Sequence, residues 1–434
     1  MSAARSGTAD PHGHSGVPAG GAVPFAGGGL RGARRSAVRH AWAAHTNWKG
    51  EDGLMRVLFH VQHLLGVGHL RRGELLTNAM ARRGMEVTVA LGGMPVAEMP
   101  FANAEVVQLP PTHIDGANFK TLYDAEGEPI TDAWRAARRD ALLALYEKVR
   151  PDVVLLEMFP FGRWRFNFEL VPLLERASRD KPRVKCVTSV RDILVETKHA
   201  ERAARGAALA REHLDAVLVH SDPSLFTFAE TYPHAGEIDD LIRYTGYVTE
   251  PAERSAAPDN GEVIVSAGGG AAAGALMRTV MAARPRTPLA DRVWRFLAGP
   301  RMAEDEFQAL AALADETTIV KRFETNFQER LDGCALSISQ AGYNTVMNLL
   351  RAEARAVVVP YDEGEETEQW FRSERMGKMG LLSVVPTSRL SAESMAAAVT
   401  EAWQREAGTR PAIDLEGAAN AAATIAAMAG GAGE

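Results

Sequence analysis

At 434 residues, of which 46% are hydrophobic, the chain can bury the cores of two or three domains. A formal net charge of −7 and a pI near 6.0 argue against a nucleic-acid partner and point to small-molecule chemistry. Its two cysteines, Cys186 and Cys334, sit among apolar residues and cannot build a disulfide framework or a cysteine zinc site, so a reducing cytoplasm is the expected compartment.

No run of about 18 apolar residues occurs, which removes a spanning helix and leaves a soluble protein or one peripheral to the inner face of a membrane. Residues 1–54 are rich in Gly, Ala and Pro and carry six basic residues against three acidic ones. Such a segment buries too little apolar surface to offset its ordering entropy, and it reads as a disordered N-terminal extension. Arg34-Arg35 is followed by a run, Ala37 to Ala44, that is too short and too interrupted by Arg39 and His40 for an export signal. His12, His14, His40 and His45 read as solvated side chains, and Met55 offers an alternative start.

From Met55 the pattern changes. Residues 56–61 form a short apolar run, and Leu70, Leu75, Leu76, Ala79 and Met80 give residues 69–84 helical spacing, with Gly84 where a C-cap glycine belongs. Residues 86–91 supply a second strand. Apolar runs at 105–109, 152–156, 184–188 and 215–219 then alternate with helix-like stretches at 131–149, 165–179 and 198–213. That alternation implies parallel strands joined by crossover helices, hence a first Rossmann-like domain over 55–249.

Residues 250–261, with Pro251 and Pro258, read as a linker. A second domain, 262–410, repeats the pattern: strands at 263–266, 293–298, 317–320, 335–338, 356–359 and 381–385, and helices at 271–283, 303–314, 342–353, 365–379 and 391–406. The fold class is α/β, two tandem doubly wound domains whose carboxyl edges face across a ligand cleft. The Ala-rich end, 411–434, has helical tendency and is able to cross back to the first domain.

Four segments could carry chemistry in that cleft. At Ser339-Gln340-Ala341-Gly342-Tyr343-Asn344-Thr345, small and hydroxyl residues join a buried strand to a helix. Free backbone N–H groups and the helix dipole there attract an anion, although Ser and Asn in a capped turn would give the same sequence. Between the first strand and first helix, Gly66-Val67-Gly68-His69 brings two glycines and an imidazole to a helix N-terminus. The positive dipole end keeps such an imidazole neutral, as a general base requires; a His that only packs at the domain edge is the alternative. Ser266-Ala267-Gly268-Gly269-Gly270 opens the corresponding helix of the second domain and suits a diphosphate, without the Lys-Ser/Thr ending of a nucleoside triphosphatase loop. A flexible turn would read the same way. In the acidic stretch 360–370, Glu368 and Gln369 are suited to paired hydroxyls, while a solvated acidic helix start is the plainer reading. No Asp-x-Asp occurs to anchor a nucleotide-bound Mg²⁺.

Taken together, residues 66–72, 266–270, 339–346 and 358–369 resemble the two-domain GT-B glycosyltransferases. Within these the chain is similar to family 28, which includes the N-acetylglucosaminyltransferase of peptidoglycan synthesis. The resemblance spans about 55–430. It implies a metal-independent hexosyltransferase without a cofactor, moving a sugar from a nucleotide-sugar, a UDP-sugar in most of this group, to the hydroxyl of a small-molecule, lipid-linked or glycan acceptor. The second domain would bind the donor through Ser266, Gly268, Gly269, Gly270, Ser339, Gln340, Gly342, Asn344 and Thr345, with Phe323 near the base and Glu368 and Gln369 at the sugar. The first domain would hold the acceptor, with His69 as base and Gly66, Gly68, Glu157, Arg191 and Asp192 around it. Family members commonly carry Glu where this chain has Asn348, a ribose contact here without charge assistance. A nucleotide-sugar hydrolase and a non-catalytic binding or partner subunit are the competing readings.

Overall fold

The computed structural model describes residues 54–64, 68–96, 101–115, 118–194, 200–250, 260–267, 272–299, 302–361, 368–405 and 411–430. The expected N-terminal extension, Gly66, Gly268, Gly269, Gly270 and most of the 250–261 linker lie outside the described residues.

The first half alternates β1 (Arg56–Val61), α1 (Gly68–Arg82), β2 (Glu86–Gly93), β3 (Glu105–Asp115), β4 (Asn118–Tyr123), α2 (Asp132–Val149), β5 (Val153–Glu157), α3 (Asn167–Ser178), β6 (Lys185–Arg191), α4 (Ala200–His213), β7 (Ala216–His220) and β8 (Ile242–Tyr244). The second half continues with β9 (Val263–Ser266), α5 (Ala272–Ala283), β10 (Trp294–Leu297), α6 (Glu304–Ala311), β11 (Thr318–Lys321), α7 (Phe327–Asp332), β12 (Leu336–Gln340), α8 (Tyr343–Arg351), β13 (Ala356–Val359), α9 (Glu368–Lys378), β14 (Ser383–Val384), α10 (Ala392–Gln404) and α11 (Gly417–Gly430).

Two sheets result, ordered β4-β3-β2-β1-β5-β6-β7-β8 and β11-β10-β9-β12-β13-β14. Every pairing is parallel except β3 with β4. The central strands are apolar on both faces, as a parallel sheet covered by helices on each side demands: Val57, Leu58 and Phe59 of β1 and Val153 and Val154 of β5 are fully buried. In each sheet the strand order reverses once, between β1 and β5 and between β9 and β12. Loops leaving the carboxyl ends of such a pair run to opposite faces and open a crevice, so the fold itself marks the β1, β5, β9 and β12 ends as ligand positions.

Two strands depart from the sequence expectation. The apolar run at 105–109 marks only the start of the third strand: β3 runs on through Pro110-Pro111 to Asp115 with a register shift against β2, and beyond it β4 turns back antiparallel. The strand expected at 381–385 pairs only over Ser383–Val384, at the sheet edge.

The last helix, α11, places Ala421, Ala422 and Ile425 in the same core as Phe59, Leu70 and Leu76 of β1 and α1. Its start is tied down by Gly417 N–H to Tyr247 O at 2.9 Å and by Asn420 Nδ2 to Thr245 O at 2.8 Å.

Candidate active site

At the switch point of the first sheet, the β1 end leads to His69 in the first turn of α1, and the β5 end is Glu157 itself. His69 Nδ1 lies 2.6 Å from Glu157 Oε1, with the imidazole 23% exposed and the carboxylate 1%. Arg72, one turn along α1, donates to the same Oε1, and Arg163 Nε donates to Oε2 at 3.1 Å. Burial alone would raise Glu157, but the facing His69, Arg163 and Arg72 outweigh it and hold the carboxyl well below the usual range. Burial pushes the His69 imidazole down to about 4, because the charge of Glu157 that would raise it is shared with the two arginines. An ionised Glu157 can only accept, so Nδ1 carries the imidazole proton and Nε2 presents a lone pair. That is the arrangement of a general base oriented by a carboxylate.

The second sheet brings Ser266 and Ser339 side by side at the ends of β9 and β12. Ser339 is 1% exposed and its Oγ has no hydrogen-bond partner among the described residues. Gln340 ends β12, and Gly342 is the N-cap of α8, at φ −60° and without a side-chain cap. A Cβ placed on Gly342 would meet only Thr345 Oγ1, at 4.0 Å. Among the described residues nothing in the packing demands a glycine there, and the bare position suits the approach of a ligand to the α8 N-terminus. Gly68 is different: a Cβ on it would come within 3.3 Å of Asn344 Nδ2. The His69 loop of one sheet thus touches the α8 turn of the other.

Charged side chains close the same seam. Arg191, at the end of β6, holds Glu368 of α9 at 3.0–3.1 Å, while Arg372, one turn along α9, pairs with Asp192 at 2.8 and 2.9 Å and with Glu368 at 2.6 Å. Both partners of the Arg372–Asp192 pair are 0% exposed. Tyr343 lies among them, its ring centroid 5.0 Å from the Arg372 guanidinium and 5.9 Å from that of Arg191. Burial would raise Glu368, but Arg372 and Arg191 outweigh it and hold its carboxyl below the usual range.

Of the residues singled out from sequence, His69, Gly68, Glu157, Arg191, Asp192, Asn344 and Glu368 meet at this seam. Gln369 points elsewhere, its Oε1 accepting from Tyr361 N–H at 3.1 Å, and Phe323 is 67% exposed beyond β11, the outer strand. Arg72, Arg163, Arg372 and Tyr343 were missed. Two of them were readable: Arg72 stands three residues from His69 and Arg372 four from Glu368, spacings that share a helix face. Arg163 sits in a loop with no periodicity to betray it.

Residues 263–425 match the glycosyltransferase family 28 C-terminal domain. That stretch is similar to the family 28 C-terminal domain, and the fold of the whole is GT-B. Among solved structures it is similar to the calicheamicin glycosyltransferase CalG4, at 17% identity and TM-score 0.58 over 88% of this chain and 100% of that one. It is similar to MurG of Acinetobacter baumannii, at 16% identity and TM-score 0.56 over 86% of this chain and 98% of that one. It also resembles the spinosyn rhamnosyltransferase SpnG complexed with thymidine diphosphate, at 17% identity and TM-score 0.51 over 86% and 96% of the two chains. A comparison with curated protein sequences finds no match. No described helix of the protein is long and apolar enough to cross a membrane.

Proposed function

We propose that this glycosyltransferase moves a sugar from a nucleoside-diphosphate sugar, UDP-linked in the first instance, to an acceptor hydroxyl, without a metal or other cofactor. The observation that carries the reading is the His69 Nδ1 to Glu157 contact of 2.6 Å, one residue from Gly68, which lies against Asn344 in the first turn of α8. His69 Nε2 takes the acceptor hydroxyl proton as that oxygen attacks the anomeric carbon. The anomeric bond to the diphosphate breaks, and the negative charge that develops there is received by the N–H groups of α8 and by the Ser266 and Ser339 edge of the second sheet. The protonated imidazole is stabilised by Glu157, so the carboxylate serves the base without itself touching the acceptor. SpnG is described with thymidine diphosphate, which supports a thymidine nucleotide as the donor to try next after UDP.

The chain departs from its family at Asn348, half-buried on α8. An amide there makes neutral hydrogen bonds to a ribose, weaker than those of a carboxylate. That predicts modest rather than tight discrimination among nucleotides.

The test is turnover with a panel of UDP- and thymidine-linked sugars and alcohol acceptors, beside His69→Ala. The variant should lose roughly 10²- to 10⁴-fold in kcat while keeping its affinity for the nucleotide. Unchanged turnover in His69→Ala would remove the base. Free sugar released at full rate without an acceptor would make the protein a hydrolase, and nucleotide binding with no turnover for any donor would make it a binding subunit.

A further inference from the structure

Four guanidinium groups converge where the two sheets meet, and the carboxylates around them do not use them up. Among the described residues Arg72, Arg163, Arg191 and Arg372 face Glu157, Asp192 and Glu368, so with His69 neutral one positive charge is left over there. Each arginine also keeps a buried N–H with no acceptor among the described residues: Nε of Arg72, Nη2 of Arg163, Nε of Arg191 and Nη1 of Arg372. The Tyr343 hydroxyl is buried and unpartnered in the same way. Arg72 is 3% exposed and Arg372 0%, so water does not satisfy them from outside. Buried charged donors are normally paired, and five orphaned donors in one place call for an acceptor with several oxygens.

The loop that delivers Arg163 adds an independent mark. Met158 and Arg163 both hold left-handed backbone, φ 68° and φ 60°, a conformation that non-glycine residues avoid and that collects at ligand sites. Position decides which ligand. Arg72 and Arg163 grip the same Glu157 that orients His69, on the acceptor side of the cleft, whereas the α8 N-terminus and the β9 loop belong to the facing sheet.

We infer that Arg72, Arg163 and Arg191, with Tyr343, form an oxyanion subsite that takes a phosphate or carboxylate carried by the acceptor close to its reacting hydroxyl. The inference rests on the assignment of the first sheet to the acceptor and makes that acceptor an anionic molecule. Arg191 is then shared: bound to Glu368 when the subsite is empty, and turned to the anion when it is filled.

Calorimetric titration of the full chain with inorganic phosphate, alone and after saturation with UDP or thymidine diphosphate, tests this. Phosphate is expected to bind the wild type and to bind still when nucleotide is present. Arg163→Gln should weaken phosphate binding roughly tenfold, the cost of one charge-assisted hydrogen bond, and leave nucleotide affinity unchanged; Arg163→Lys should recover part of the loss. Displacement of phosphate by nucleotide, or a parallel loss of nucleotide affinity in Arg163→Gln, would assign the arginines to the donor diphosphate and overturn the inference. Absence of phosphate binding, or binding untouched by Arg163→Gln, would overturn it as well. Phosphate binding that depends on Arg163 in a protein that binds neither nucleotide would uphold the anion subsite and defeat the nucleotide-sugar reading instead.

Discussion

At the scale of single residues, the contest at His69 is between burial, which disfavours the imidazolium, and Glu157, which favours it. Burial wins and the group titrates near 4. An unfolded chain titrates His near 6.5, so between about pH 4 and 6.5 the unfolded state binds more protons than the folded one, and stability falls as pH drops through that window. Glu157, held below its unfolded value, loses its contribution in the same direction as pH falls. The proposed base therefore stays neutral, as its role requires, well below pH 7. The kcat/KM profile of the wild type should be flat from pH 7 to about 5, with its acid limb near pH 4. An acid limb at 6 to 7 would mean that Glu157 dominates and that the imidazole is cationic in the resting enzyme.

At the scale of elements, the alternation of strands and helices was legible because parallel strands buried on both faces are written as plain apolar runs, and each run named from sequence overlaps a strand of the structure. What the sequence hides is side-chain partnership across long separations. Nothing near Asp192 announces Arg372, 180 residues away, and the loop carrying Arg163 has no period to read. The carboxyl-edge loops were visible through their glycines, and Gly342 lets their meaning be tested. Its φ of −60° and the 4.0 Å clearance of a built Cβ leave room for alanine without strain. Gly342→Ala should fold with stability within about 1 kcal/mol of the wild type, since alanine restricts the unfolded chain but is a poorer N-cap than glycine. Nucleotide affinity should nevertheless fall about tenfold or more, because the methyl group stands where a phosphate approaches the α8 N–H groups. Paired urea unfolding and nucleotide titration read the two effects separately, and a variant that is both stable and fully competent to bind would place the donor elsewhere.

At the scale of the whole molecule, the two sheets are joined by apolar contacts, in which Ile193 and Phe226 share a core with Val346, Met347 and Met376, and by the buried charges of Arg372, Asp192, Glu368 and Arg191. The charges stabilise little in net terms, because desolvating each ion costs about as much as the pairing returns, but they make the seam intolerant of half-removal. Asp192→Leu leaves Arg372 buried with Glu368 alone, and Glu368 is already committed to Arg191. The expected cost is about 3–5 kcal/mol. Adding Arg372→Met takes away the stranded cation and leaves Glu368 with Arg191, one charge of each sign, so the double variant should recover most of the loss rather than add to it. Urea unfolding of the two single variants and the double variant supplies the cycle. A double variant that loses the sum of the singles would show that Arg372 and Asp192 act independently, and that the apolar core alone holds the two sheets in register.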